Sequence, residues 1–205
     1  TAVITVSANR PSLEEEIDDR TYSSFRPQHL TLNRYTPNVA RQILADRARK
    51  ALHPQSLQRD ALTYITTTTQ NISIGLTWLR ETAETAEEQI NTELAQDIEV
   101  TAYHEYVKTV LNQFTTHHRR LYNTISRLEQ EQGGPLTTGT VYSEYSGRCE
   151  TAGVAPLSER RVSDFLTHLE LLDLIEATYH RGGSKGKTRE IQLVDWNGAK
   201  SEETG

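Results

Sequence analysis

The chain has 205 residues, a formal net charge of -6, 35% hydrophobic residues and a single cysteine. It contains no apolar run long enough to cross a bilayer and nothing that resembles a signal peptide, so we expect a cytoplasmic protein with no membrane partner and no internal disulfide. The acidic balance argues against a dedicated nucleic-acid binder, so any such function must depend on local clusters of cations.

The first 33 residues show two short strand-like runs, residues 2–6 and 29–32, on either side of a polar, acidic segment. This pattern predicts the trailing edge of an α/β sheet over residues 1–33. Because the sequence opens on Thr1 in what reads as mid-strand, we expect it to be a C-terminal piece of a longer protein.

Residues 34–103 are predicted to form a small helical domain. Thr36 is a helix-capping residue and Pro37 stands at the favoured first position. Apolar residues recur at helical spacing after Ser56, after Asn71 and from about Asp97 onward, which predicts three more helices joined by short links.

Residues 104–196 are predicted to form a second domain, followed by a polar tail over residues 197–205. Helices are expected over residues 114–128, after a cap at Thr138 and after a cap at Ser158, and a strand, a tip and a second strand follow. His117 and His118 are interpreted as surface residues, and the histidines have no metal-ligand spacing, so no metal site is predicted.

The helix that begins after Ser158 carries Val162, Phe165, Leu166 and Leu169 on one face. Its polar residues then lie on the other face. A helix with one packed side and one polar side, followed by a basic hairpin, is the arrangement of a winged helix, in which the polar side enters the major groove of DNA.

The hairpin tip over residues 180–189 contains four cations, three glycines and no acid. Such a tip can neutralise phosphates, and its glycines allow the backbone to approach a groove closely. An amphipathic surface helix or a solvated hairpin would each explain one half of the pattern, but the two together favour duplex DNA. The predicted DNA-binding residues are Ser158, Arg160, Arg161, Ser163, Thr167, Arg181, Gly182, Gly183, Lys185, Gly186, Lys187 and Arg189.

No set of residues in the sequence indicates catalysis. There is no GxxxxGK[ST] phosphate loop, and no arrangement of serine or cysteine with histidine and aspartate can be argued. The residues alone therefore leave open a DNA-binding module, such as that of a transcription regulator or plasmid-type initiator, and a protein-interaction module.

The sequence resembles the C-terminal part of the archaeal origin-recognition initiators, AAA+ proteins related to eukaryotic origin-recognition and licensing factors. The match is closest over residues 138–142, 156–164 and 169–175, and it continues through the glycine-rich wing to Thr188–Ile191. The resemblance implies a mainly α fold, with the remnant edge of an AAA+ α/β domain, a helical lid and a C-terminal winged helix.

The same resemblance implies residues that sense nucleotide. Asn9 matches the end of the family's sensor-1 strand, and Arg20 lies in a segment similar to the family's arginine-finger segment. At the position of the lid arginine that senses nucleotide in the family, this chain has Ser73. The Walker A and Walker B segments would lie upstream of Thr1, so we expect ATP or ADP only in a full-length parent and no ATPase activity from this chain alone. The implied partners are origin duplex DNA, the replicative helicase and other initiator copies.

Overall fold

The structure, a computed structural model, describes residues 18–25, 28, 30–33, 35–181 and 187–196. The chain divides into two compact units, Thr1–Arg34 and Tyr35–Gly205. The predicted strand over residues 2–6 and the polar tail over residues 197–205 lie outside the described residues.

In the first unit, helix α1 spans Asp19–Phe25. The Asp18 carboxylate accepts hydrogen bonds from the backbone N–H of Thr21 at 3.0 Å and from its hydroxyl at 2.7 Å, and these bonds lower the pKa of Asp18. The prediction of a strand over residues 29–32 is wrong where the structure describes it, because residues 30–33 form no strand and the side chains of Leu30 and Leu32 are 86% exposed. A strand needs a neighbour that takes up its backbone hydrogen bonds, and the described residues provide none here.

The second unit begins with four helices: α2 (Pro37–Ala51), α3 (Arg59–Thr68), α4 (Ile72–Thr85) and α5 (Thr92–Gln113). We call α2, α3 and α4 the helical lid. The predicted caps Thr36 and Asn71 are confirmed, since both side chains accept backbone N–H bonds of the first helical turn. Helix α5 begins five residues before the predicted Asp97, because Asn91 caps it by accepting the Leu94 N–H at 2.8 Å.

The winged helix follows. It consists of α6 (Thr116–Gln132), β1 (Leu136–Thr137), α7 (Thr138–Thr151), α8 (Glu159–Leu171), β2 (Ile175–Arg181) and β3 (Lys187–Leu193). The three strands form one antiparallel sheet in the order β1-β3-β2. The α7 cap is Thr137, one residue before the predicted Thr138, and its hydroxyl accepts the Thr140 N–H.

Two apolar cores hold the unit together. In the winged helix, the faces of α6, α7, α8 and β3 bury their apolar side chains completely, including Leu121, Ile125, Val141, Tyr145, Val162, Leu166, Leu169 and Ile191. In the lid, Trp78 is fully buried and its indole N–H donates to the Ala95 carbonyl at 2.8 Å. The sequence analysis did not identify Trp78 as a core residue of α4.

The lid and the winged helix share structural elements. Helix α5 is continuous through residue 103, where the sequence analysis set the border between the two domains. Trp196, which follows β3, packs against both apolar cores. The predicted fold class, mainly α with a helical lid and a C-terminal winged helix, is confirmed, and within the described residues no helix has both the length and the apolar character needed to cross a membrane.

Candidate nucleic-acid interface

Helix α8 has the two faces that the sequence predicts. Val162, Leu166 and Leu169 are completely buried, while Arg160 and Arg161 are exposed. Ser158 occupies the N-cap position, although its side chain makes no capping hydrogen bond. The helix therefore packs on the winged-helix core with both arginines exposed, and the Arg161 guanidinium lies 5.9 Å from the centre of the Phe165 ring.

The charge of α8 alone does not favour a polyanion. Its two arginines share the helix with Glu159, Asp164 and Glu170, so the acids outnumber the arginines by one. A net positive potential at this surface has to come from the hairpin that follows.

The register of β2 and β3 places cations at the open end of the hairpin. Arg181 pairs with Lys187 in the last register position before the tip, and His180 pairs with Thr188. The predicted residues Gly182, Gly183, Lys185 and Gly186 lie outside the described residues. The backbone pairing nevertheless places these two basic residues opposite each other in the ladder.

Arg189 and Thr167 have a different environment from the other predicted residues. Only 9% of the Arg189 side chain is exposed, and its guanidinium donates to Glu170 at 2.8 Å and to the Thr167 hydroxyl at 3.3 Å. The guanidinium also lies 5.4 Å from the centre of the Tyr179 ring, whose hydroxyl donates to Glu170 at 3.3 Å. These four side chains connect β2 and β3 to α8, so Arg189 and Thr167 hold the wing against the helix.

The turn that leads into α8 is held by Tyr145 of α7. This side chain is completely buried, and its hydroxyl accepts the Leu157 N–H at 3.2 Å and lies 2.6 Å from His117 Nδ1. Burial raises the pKa of Tyr145 to about 12, so it stays a neutral phenol. Tyr145 therefore fixes the start of α8 relative to α6 and α7.

Aromatic side chains of α6 and α8 also pack against each other. His118 is 5% exposed and stacks on Phe165 with ring centres 4.0 Å apart, and its Nε2 lies 3.1 Å from His168 Nδ1. The interpretation of His118 as a surface residue is therefore wrong, because the N-terminal turn of α6 packs directly against α8. Burial, and then the neighbouring His168 and His117, lower the pKa of His118.

The two residues expected to sense nucleotide both belong to the first unit. Asn9 lies outside the described residues, and Arg20 is an exposed residue of α1. Ser73 is exposed in the first turn of α4, where its N–H donates to the Asn71 side chain at 3.0 Å. Among the described residues no three His, Cys, Asp or Glu side chains are grouped so that they could hold a metal ion.

Sequence reasoning missed the residues that join the wing to α8. Glu170 and Tyr179 were not singled out, because one is an acid on a helix expected to meet DNA and the other is an isolated aromatic residue on a strand. A signal was nevertheless available: a glutamate on α8 and an arginine on β3 are the complementary pair that a helix-to-hairpin contact needs.

Comparison with known proteins agrees with this architecture. Residues 109–200 match the family model of the CDC6 C-terminal winged helix domain. The chain is 30% identical over 199 residues to an ORC1-type DNA replication protein of Thermococcus kodakarensis, an alignment that covers 91% of this chain and 47% of the relative. A Pyrococcus abyssi protein of the same description is 28% identical over 204 residues, with 94% and 48% covered.

One solved structure with a similar fold is that of the Aeropyrum pernix ORC1 protein in complex with DNA. It matches 95% of this chain and 54% of its own length, with a TM-score of 0.58 and 26% sequence identity. The chain thus spans about half the length of the curated relatives that it matches.

Proposed function

This chain is related to the C-terminal portion of the archaeal ORC1-type replication initiators and carries a Cdc6-type winged helix, and we propose that it binds origin duplex DNA through that winged helix. The observation that carries the proposal is the arrangement of α8. Val162, Leu166 and Leu169 of its apolar face are completely buried, its two arginines are exposed, and the register of the strands beside it pairs Arg181 with Lys187.

In this proposal the two parts of the surface have different tasks. Arg160, Arg161 and Ser163 of α8 face the major groove, where side chains reach base edges and phosphates. Arg181, Lys185 and Lys187 of the wing contact phosphates, which adds affinity without reading sequence. Support comes from the Aeropyrum pernix ORC1 protein, which has the same fold and was solved with DNA.

The wider role that the resemblance implies would need a longer parent protein. There, by resemblance, ATP or ADP would bind in the AAA+ domain, with Asn9 and Arg20 as nucleotide-sensing residues, and binding would be coupled to recruitment of the replicative helicase and to assembly with other initiator copies in the cytoplasm. We ascribe no ATPase activity to this chain alone.

The experiment that tests DNA binding measures duplex affinity against salt concentration. Replacing each phosphate-contacting cation, Lys185→Ala or Lys187→Ala, should flatten the log-log slope by about one unit. Lys108→Ala is the matched control, because Lys108 is an exposed lysine on α5 that pairs with Glu105. If the slope of log affinity against log salt concentration is the same in all three variants, the wing does not contact phosphate. Binding of a protein partner that does not depend on salt would favour an interaction module instead.

A further inference from the structure

The helical lid contacts the winged helix at the turn that follows α8. The Asn71 side-chain amide donates to the Asp173 carboxylate at 2.8 Å, although the two residues are 102 positions apart in the sequence. The carbonyl oxygen of the same Asn71 amide accepts the N–H groups of Ser73 at 3.0 Å and Ile74 at 3.3 Å. One side chain therefore caps α4 and binds the end of α8 at the same time.

Two tyrosines of α5 hold the same turn. The Tyr106 hydroxyl donates to the Leu172 carbonyl at 2.8 Å, and the Tyr103 hydroxyl donates to the Asp173 carbonyl at 3.0 Å. Asp173 itself has a φ of 53°, in the left-handed region that non-glycine residues rarely adopt. A strained backbone persists where the surrounding contacts determine it, and here three side chains from α4 and α5 do so.

The segment that follows β3 packs against the same two helices, α4 and α5. Trp196, three residues after β3, stacks on the Tyr103 ring with centres 4.6 Å apart and planes 5° apart. It also meets Trp78 of α4 edge to face at 6.2 Å. The segments before β2 and after β3 are thus both anchored on α4 and α5.

We propose that Asn71 and Asp173 form a latch that positions α8 and the wing for DNA. Asp173 lies between the end of α8 and the start of β2, so its position sets the angle between the helix and the hairpin. The helix and the hairpin must contact the duplex at the same time, and a displacement of either by a fraction of an ångström weakens such a site. The latch also joins α8 to the N-terminal turn of α4, which contains Ser73, so this turn and α8 move as one body.

The latch rests on the proposed DNA binding and is tested by exchanging its donor and acceptor. Asn71→Asp keeps the cap, because aspartate caps helices as well as asparagine does, but it sets two carboxylates against each other. Asp173→Asn keeps the bond, since its amide oxygen still accepts from Asn71, and asparagine tolerates a positive φ. The double variant reverses the bond, with Asn at 173 donating to Asp at 71.

Two readouts are taken on the full chain. The first is duplex affinity, which should fall about tenfold in Asn71→Asp and stay within about twofold of the unchanged chain in Asp173→Asn and in the double variant, a tenfold change being 1.4 kcal/mol. The second is tryptophan fluorescence, because both tryptophans of the chain, Trp78 and Trp196, lie at this junction. The emission should shift to the red in Asn71→Asp and return in the double variant.

The outcomes separate the latch from the proposed function. If Asn71→Asp changes neither affinity nor emission, Asn71 only caps α4 and the latch is refuted. A loss that the double variant does not restore would also refute it, since a general folding defect would explain that loss. If the unchanged chain does not bind duplex at all, the DNA-binding proposal fails. The tryptophan emission of the single and double variants still shows whether Asn71 and Asp173 hold the junction.

Discussion

Arg189 Nη2 on β3 donates to Glu170 Oε2 on α8 across 2.8 Å, and this ion pair connects the wing to the helix that we assign to the major groove. The arginine side chain is 9% exposed and the glutamate side chain 31% exposed. A charge that is already neutralised and largely buried is poorly placed to attract phosphate. In the proposed DNA binding, Arg189 therefore acts by positioning the wing.

This role predicts how substitutions of Arg189 behave. Arg189→Ala should lower the free energy of unfolding by about 1–3 kcal/mol, because a charge-assisted hydrogen bond is lost while the partly exposed Glu170 can regain water. Arg189→Lys should restore little of the stability or of the duplex affinity, since an ammonium group lacks the planar fork that reaches Glu170 and Thr167 together. Urea denaturation and duplex titration measure the two effects, and full rescue of affinity by lysine would instead mark Arg189 as a phosphate contact.

The exposed arginines of α8 should show the opposite behaviour. Arg160→Ala and Arg161→Ala are expected to leave the stability within about 0.5 kcal/mol, as is usual for surface positions. Each should weaken duplex binding and, where the arginine contacts a phosphate, reduce the salt slope by about one unit. Arg127→Ala on α6 is the control, because that exposed arginine pairs with Glu131. Equal affinities for all three variants would exclude the assigned role of α8.

The core of the winged helix predicts a large and specific loss of stability. Leu166 is completely buried at the centre of the α8 apolar face, so Leu166→Ala should cost about 2–5 kcal/mol of unfolding free energy. Leu171 is on the same helix but is 48% exposed, and Leu171→Ala should change the stability by only about 0.5 kcal/mol. Thermal or urea denaturation of the two variants measures both costs. Similar costs at both sites would mean that α8 is not packed on this core.

The helices of the second unit could be predicted from local patterns, and the contacts between elements could not. The burial of Val162, Leu166 and Leu169 follows from helical spacing alone. The cap at Asn71 follows from the residue type that precedes the helix. The Asn71–Asp173 bond joins residues 102 positions apart, and no local pattern indicates such a pair. His118 was misjudged for the same reason, since a histidine in a polar turn becomes buried only when another helix covers it.

The candidate site was predicted in part for a related reason. Cations and glycines in the wing are visible in the composition of residues 180–189, so the hairpin could be found directly. Whether a cation is free or paired depends on what the fold places beside it. Arg189 and Arg160 look alike in the sequence, and only the packing of β3 against α8 distinguishes them.

The buried hydroxyl of Tyr145 gives a prediction about the turn before α8. Tyr145→Phe keeps the ring in the core but leaves the Leu157 N–H and His117 Nδ1 without this partner. An unsatisfied buried donor costs about 1–3 kcal/mol, so the stability should fall by that amount. Tyr142→Phe on the same helix, at a half-buried position against the same core, should cost less than about 0.5 kcal/mol and serves as the control. If the two variants unfold alike, the Tyr145 hydroxyl does not hold the turn.

His118, which packs against α8, predicts a loss of stability in mild acid. Burial and the neighbouring His168 and His117 lower the pKa of His118 below its ordinary value of 6.5, so the unfolded chain binds a proton there at a pH where the folded chain does not. Stability contributed by neutral His118 is therefore present above pH 6.5 and is lost as the pH falls below it.

The substitution His118→Gln should flatten this pH dependence, because glutamine keeps a polar group beside Thr115 and His168 but does not titrate. His53→Gln, at an exposed position between α2 and α3, should leave the dependence as it is. Urea denaturation between pH 7.5 and 5.5 measures the free energy of unfolding for each chain. If the free energy of unfolding still falls steeply with pH in His118→Gln, the fall originates in another group. The packing of His118 against α8 would then not depend on protonation.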